Sequence, residues 1–161
     1  MTSCDVVEKT LYPLLAPKSG IYRVRQESSN RYLDAHDTSS YDYSAVSRPY
    51  QSNNTQWWTL RKICEGSADY TIRQESSRRY LDAHKSSAND YSAVTRRYQG
   101  NDTQRWQLLA EEYPNQYRIV QKSSGRYLDA HEISAYDFSI VTRPYQSNLT
   151  QIWRLELVRL F

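Results

Sequence analysis

The sequence repeats the stretch Arg31-Tyr32-Leu33-Asp34-Ala35-His36 without change at residues 79–84 and 126–131. Each copy is followed by Thr-Gln-x-Trp, which ends at Trp58, Trp106 and Trp153. From Asp to Trp is 24 residues in every copy, and successive Asp residues are 48 and then 47 positions apart. A period of about 20 to 50 residues is typical of repeat or closed pseudo-symmetric architectures. The chain is therefore one unit written three times.

Each unit contains four short segments with strand-like alternation, separated by turn-forming residues, and no long helical period follows residue 20. In the first unit the predicted strands are residues 21–26, 31–36, 44–50 and 55–60. The alternation points Leu33 and Trp58 toward the core and places Asp34 and His36 on the outer face. Twelve strands in three units fit neither a propeller of about four to eight blades nor a solenoid with distinct caps. The sequence therefore predicts an all-β fold closed by threefold pseudo-symmetry.

The length and composition of the chain favour a single domain. The chain has 161 residues, 15 Tyr and 4 Trp, and its formal charge of +3 is mixed along the sequence. That charge is too mild to indicate nucleic acid as the partner. No stretch reaches the roughly 20 apolar residues of a membrane helix, so we expect no membrane insertion. The N-terminus lacks the features of a signal peptide, so we expect a cytoplasmic protein or one released without a signal peptide.

The two cysteines, Cys4 and Cys64, fall outside the repeated positions. They are therefore neither a repeated disulfide staple nor a metal set, and we expect both to be reduced. One His per unit, with no recurring Cys, does not make a zinc site. We expect no metal and no cofactor.

A unit of this length, with an aromatic first strand, Leu-Asp in the second strand and Gln-x-Trp at the end, resembles the ricin-B-type β-trefoil lectins. The resemblance covers about residues 20–161 and implies a single β-trefoil domain, with repeats of about 20–66, 67–113 and 114–161. Residues 1–19 are then an N-terminal extension. The resemblance also implies sugar binding at the strand-two Asp of each repeat and a polar neighbour from Gln-x-Trp. These residues are Asp34, Asp82 and Asp129, with Gln56, Gln104 and Gln151.

The family stacks sugars on an aromatic side chain of strand three. At that place this chain has Arg48, Arg96 and Arg143, or Ser47, Thr95 and Thr142 if the register is offset by one residue. The candidate replacements are aromatic residues of the loop between strands two and three. They are Tyr43, Tyr91 and Phe138, together with Tyr41 and Tyr136.

The residues themselves also suggest a binding site. An Asp and a His two positions apart on the outer face of a strand present an acceptor and a donor to a pair of ligand hydroxyls. The His candidates are His36, His84 and His131. Alternatively, each Asp caps a neighbouring backbone turn and each His packs over a Tyr, and both recur only because the fold does. The Arg residues of strand three are expected to pair with Asp42, Asp90 and Asp137, which recur in phase; direct contact with an anionic ligand is the alternative.

The predicted function is a non-catalytic lectin with up to three related glycan sites, whose partners are glycans or glycoproteins. A hydrolase needs an asymmetric set of catalytic groups, which three copies of Asp-x-His do not offer. The alternative is a protein-binding trefoil, either a protease inhibitor or the targeting component of a toxin, that would use residues 1–19 or the divergent segment 61–69. The oligomeric state does not follow from the sequence.

Overall fold

The structure, a computed structural model, describes residues 16–161. This part of the chain forms twelve strands: β1 Gly20–Gln26, β2 Tyr32–Ala35, β3 Ala45–Arg48, β4 Trp58–Lys62, β5 Asp69–Gln74, β6 Tyr80–Ala83, β7 Ala93–Arg96, β8 Trp106–Ala110, β9 Gln116–Gln121, β10 Tyr127–Ala130, β11 Ile140–Arg143 and β12 Trp153–Leu160. Its helices are six single 3₁₀ turns: Ser39–Tyr41, Asn54–Gln56, Ser87–Asn89, Asp102–Gln104, Ser134–Tyr136 and Leu149–Gln151.

Six of the strands close into a barrel by antiparallel pairing, in the order β1, β4, β5, β8, β9 and β12, with β12 returning to β1. The other six form three hairpins, β2–β3, β6–β7 and β10–β11, which share one register. Single bridges join every pair of hairpins: Ser44 to Val94, Ser92 to Val141 and Val46 to Ser139. The three hairpins therefore meet around one threefold axis. This arrangement confirms the predicted β-trefoil.

The core is built from equivalent residues of the three repeats. Trp58, Trp106 and Trp153 have no exposed surface, and each indole N–H donates to the carbonyl of the β2, β6 or β10 leucine at 3.0 Å. The Trp thus joins a barrel strand to a hairpin strand of its own repeat. Replacing a buried Trp with Ala typically costs about 3–5 kcal/mol. The inward positions predicted from the alternation are confirmed.

Residues 16–18 add contacts to the barrel from outside the three repeats. The Tyr22 hydroxyl donates to the carbonyl of Lys18 at 2.6 Å, and the Tyr70 hydroxyl donates to the carbonyl of Pro17. Ala16 packs against the core beside them. Burial raises the pKa of Tyr70, and nearby Tyr117 adds to the increase, so the hydroxyl stays protonated as a donor. The predicted extension of residues 1–19 is described only from residue 16.

Two local expectations are corrected. The fourth strand begins at Trp58 and not at Thr55, because Asn54–Gln56 forms a 3₁₀ turn in which the Asn53 side chain accepts the N–H of Thr55.

Cys64 is disulfide-bonded and not reduced. Sequence spacing does not reveal whether two Cβ atoms come within the roughly 4 Å that a disulfide needs. Cys4 lies outside the described residues. No helix among residues 16–161 is long and apolar enough to cross a membrane.

Candidate functional site

The carboxylate of Asp34, on β2, is buried, and only 2% of the residue is exposed. Its Oδ1 accepts the backbone N–H of Ala35 at 2.8 Å, and its Oδ2 accepts the Gln56 amide and the Thr55 hydroxyl, both at 3.2 Å. The same Gln-to-Asp bond occurs at 3.1 Å for both Asp82 and Asp129, which are equally buried. The expected outward placement of these carboxylates is wrong, because the 3₁₀ turn before the fourth strand of each repeat covers them.

Gln56 connects this carboxylate to the loop after β3. Its amide nitrogen donates a second bond to the carbonyl of Pro49 at 2.9 Å, and its amide oxygen accepts the N–H of Gln51 at 2.9 Å. Equivalent bonds are made by Gln104 and Gln151. All three amides are buried, so these bonds satisfy loop backbone groups that water does not reach.

Arg48 lies between the buried carboxylate and the neighbouring His. Its Nε is 3.8 Å from Oδ2 of Asp34, and its Nη2 is 3.4 Å from Nδ1 of His36. Arg96 and Arg143 approach Asp82 and Asp129 at 4.0 and 3.9 Å. About one third of the Arg48 side chain is exposed. The expected pairing of these Arg residues with Asp42, Asp90 and Asp137 is wrong, because those carboxylates bind His residues of another repeat.

The three His residues tie the hairpins together in a ring. His36 contacts Asp137 at 2.6 Å, His84 contacts Asp42 at 2.6 Å, and His131 contacts Asp90 at 2.5 Å, in each case from Nε2 to Oδ2. Each pair crosses from one repeat to the preceding one in cyclic order. The carboxylates are about 60% exposed and the imidazoles less than a quarter. One nitrogen of each imidazole is therefore used in a contact between repeats.

The aromatic residue after each of these Asp residues is also held by the next repeat. The guanidiniums of Arg79, Arg126 and Arg31 lie 3.7 Å from the ring centres of Tyr43, Tyr91 and Phe138, respectively. The backbone carbonyl of Tyr43 accepts the N–H of Thr95 at 2.9 Å. These three aromatic candidates therefore have one ring face covered by an Arg.

The loop that carries this aromatic residue adopts strained backbone angles. Asp42 and Tyr43 both have positive φ, 53° and 50°, and the two equivalent pairs repeat the pattern. The left-handed region costs a non-glycine residue roughly 1–2 kcal/mol. The hydrogen bond between Asp42 and His84 and the contact of Tyr43 with Arg79 offset that cost, so the neighbouring hairpin fixes the loop.

Tyr41 and Tyr136 are placed differently. Tyr41 stacks on His36 with ring centres 4.3 Å apart, and Tyr136 stacks on His131 at 4.5 Å. Both phenol rings remain almost 60% exposed. The second repeat has Asn89 at this position and lacks the stack. In the first and third repeats the structure thus brings together the Asp, Gln, His and outer Tyr candidates, with Arg48 or Arg143 between them.

Tyr50 was not among the sequence candidates, and Arg48 was considered mainly as the partner of an Asp in the neighbouring loop. Tyr50 is exposed, and it packs edge-on against Tyr32 with ring centres 5.7 Å apart, as Tyr145 does against Tyr127 at 5.5 Å. Tyr98 packs against Tyr80 at 5.2 Å with tilted rings. The in-phase recurrence of Arg and of Tyr-Gln was the available signal for both. Within residues 16–161, no group of three His, Cys, Asp or Glu side chains is arranged to hold a metal ion.

Comparison with known proteins identifies the family. A profile described as "Ricin-type beta-trefoil lectin domain-like" matches residues 14–96 and, in a second overlapping alignment, residues 54–137. No curated protein sequence matches the chain.

Three solved structures illustrate the similarity of fold. ThreeFoil, a designed threefold symmetric protein, has a TM-score of 0.74 and 24% identity over 85% of this chain and 98% of its own. The ricin B-like lectin of Macrolepiota procera, solved with lactose, has a TM-score of 0.70 and 21% identity over 88% and 98% of the two chains. An exo-β-1,3-galactanase from Clostridium thermocellum has a TM-score of 0.73 and 22% identity over 89% of this chain but only 31% of its own.

Proposed function

Because the chain belongs to the ricin-type β-trefoil lectin domain-like family, we propose that it binds carbohydrate without catalysing a reaction, at up to three related sites on its hairpins. Its partners are then glycans or glycoproteins. The observation that carries the proposal is the exposed Tyr41 ring stacked on His36, beside Arg48 and the buried Asp34. The third repeat has the same combination.

This arrangement provides the contacts that a sugar requires. The free face of Tyr41 offers an apolar surface for the C–H groups of a pyranose ring. Nε of Arg48 and Oδ2 of Asp34 are 3.8 Å apart, which is too far for a hydrogen bond between them. The buried carboxylate therefore lies beside the guanidinium without forming a hydrogen bond to it, and about one third of the Arg48 side chain is exposed. A sugar hydroxyl that accepts from the guanidinium would gain a charge-assisted hydrogen bond.

The composition of the site argues against glycoside hydrolysis. That reaction uses two carboxyl groups with different roles on either side of the scissile bond. In the first repeat, Asp34 is enclosed by Gln56, Thr55 and Ala35, and Asp42 is held by His84 of the next hairpin. Neither carboxylate is positioned with a second one as an acid and base pair.

A glycan array with the purified protein tests the proposal. We expect the double variant Tyr41→Ala/Tyr136→Ala to lose about tenfold or more of the array signal, since each stacking contact contributes about 1 kcal/mol and two sites act together. Tyr113→Ala is the control, because Tyr113 is equally exposed but lies in the loop between β8 and β9.

Three outcomes are informative. Loss of signal in the double variant alone supports the hairpin sites. Equal loss in Tyr113→Ala contradicts a specific role for Tyr41 and Tyr136. Absence of any glycan signal, together with binding to an unglycosylated protein, overturns the proposal in favour of a protein-binding module such as a protease inhibitor or toxin targeting component.

A further inference from the structure

A groove of about 580 Å³ lies between the first and second repeats, outside the hairpin sites described above. The first repeat contributes Asp37 and Tyr43 to its lining. The second repeat contributes the turn between β5 and β6 and the residue after β7, namely Ser76, Ser77, Arg78, Arg79 and Arg97. The lining thus contains three Arg residues and one Asp.

Two of the three guanidiniums are available to a ligand. Arg79 stacks on Tyr43, and its Nε and Nη2 donate to the hydroxyl and carbonyl of Thr95 at 3.1 and 2.8 Å. Arg78 and Arg97 are exposed, and neither forms an ion pair within the described part of the chain. Burial lowers the pKa of Arg79, and Arg97 adds to the decrease, so positive charges crowd together here.

The other two repeat junctions do not have this pair of cations. Where the second repeat has Arg78 and Arg97, the first has Asn30 and Pro49 and the third has Gly125 and Pro144. In the place of Asp37, the junction of the third and first repeats has Glu132. There the Ser28 hydroxyl donates to Glu132 at 2.9 Å and connects the two sides. The two exposed Arg residues of the groove are therefore specific to the second repeat and are not a consequence of the repeated sequence.

Arg78 occupies a backbone conformation that disfavours it. Its φ is 64°, in the left-handed region, where the equivalent Asn30 and Gly125 have φ of 60° and 69°. Asn and Gly adopt this region readily, whereas a longer side chain is strained there. Strained residues concentrate at ligand clamps and other functional sites.

We propose that this groove binds the carboxylate or sulfate group of an acidic saccharide, an inference that rests on the carbohydrate-binding function proposed above. The exposed guanidiniums of Arg78 and Arg97 suit an oxyanion, because guanidinium binds carboxylate and sulfate through paired hydrogen bonds. The exposed Ser76 hydroxyl is a further donor, and Asp37 is an acceptor for sugar hydroxyls. A polyanion such as nucleic acid would be repelled by Asp37, whereas a sugar with one charge and several hydroxyls matches both kinds of group.

The test is a titration of the ¹⁵N-labelled protein, followed by NMR, with glucuronate, galacturonate and glucose 6-sulfate. Glucose and galactose are the neutral partners, and inorganic sulfate is a separate arm. We expect at least one acidic sugar to shift the signals of Ser76, Arg78 and Arg97 saturably, with about tenfold or more higher affinity than its neutral partner.

The variant Arg78→Gly/Arg97→Pro, which installs the residues of the third repeat, should lower that affinity about tenfold or more. The reciprocal variant Gly125→Arg/Pro144→Arg is the matched control and should create a second acidic-sugar site. An absence of shifts in the groove with all three acidic sugars overturns the proposal. So does binding of inorganic sulfate as tight as that of the acidic sugars, because the sugar then contributes nothing. If the hairpin sites do not bind sugar, neutral sugars will leave the signals of His36 and Tyr41 unchanged. This result is separate from the outcome at the groove.

Discussion

The carboxylate of Asp34 joins three parts of the first repeat: β2 itself, the 3₁₀ turn before β4 and, through Gln56, the loop after β3. A buried carboxylate is stable only when its oxygens are hydrogen-bonded, and here donors reach both of them. The same group lies 3.8 Å from Nε of Arg48 at the proposed sugar site. A single residue in each repeat therefore connects the fold to the proposed sugar site.

Asp34→Ala should destabilise the protein, because one of the two bonds donated by the buried Gln56 amide is lost and the N–H of Ala35 loses its acceptor. We expect the free energy of unfolding to fall by about 2 kcal/mol and the Tm by roughly 4–8 °C, measured by thermal unfolding with circular dichroism. The control is Asp102→Ala, since the Asp102 side chain is 50% exposed and pairs with Arg105 at the surface. Its expected effect is within about 0.5 kcal/mol. Equal Tm values for the two variants would contradict the structural role of Asp34.

At the scale of elements, each β-hairpin is held by the one that follows it in cyclic order. In the loop between β2 and β3, the Asp42 carboxylate contacts His84 and the Tyr43 ring packs against Arg79. His84 and Arg79 both belong to the second repeat. A backbone bond from Thr95 to Tyr43 completes the contact. Because both loop residues have positive φ, the loop depends on its neighbour for its conformation.

Tyr43 and Tyr41 should therefore respond differently to replacement by Ala, although they lie two residues apart. Tyr43→Ala removes a half-buried ring and its cation–π contact, and we expect a loss of about 1–2 kcal/mol of stability. Tyr41→Ala removes a ring that is 60% exposed, and we expect a change below about 0.5 kcal/mol. Urea unfolding of the two variants measures both values.

Sugar titration should give the reverse order, with Tyr41→Ala weakening binding at the first repeat and Tyr43→Ala leaving its intrinsic affinity unchanged. If Tyr43→Ala abolished binding without loss of stability, the sugar platform would be Tyr43 and not Tyr41.

At the scale of the whole molecule, the sequence predicted the features that depend on residues within a single repeat. The positions of Leu33 and Trp58 in the core follow from their alternation and from the constant Asp-to-Trp spacing. Contacts between repeats were not predictable in this way. His84 and Asp42 are 42 residues apart and meet only when the three hairpins assemble. The burial of Asp34 was missed for a related reason, because strand alternation describes a strand and not the turn that folds over it.

The trefoil is symmetric in its core but unequal at its proposed binding surfaces. Asn89 of the second repeat occupies the same 3₁₀ turn as Tyr41 and Tyr136, and the residue after it has φ of 52°, compared with 53° in the other two repeats. The backbone is therefore ready to accept an aromatic side chain at residue 89. Wild-type protein should contain two stronger hairpin sites and one weaker site.

Asn89→Tyr should make the three sites equal, because the new ring can stack on His84 as Tyr41 stacks on His36. A stacking surface contributes about 1 kcal/mol, so the affinity of the second repeat should rise roughly fivefold, while the first and third sites remain unchanged. Sugar titration followed by NMR, using the signals of His36, His84 and His131 as reporters, measures each site separately. Tyr41→Asn is the matched reverse variant and should weaken the first site by the same factor. If the second site of the wild type already equals the others, the outer Tyr does not contact the sugar, and the platform must be a residue that all three repeats share.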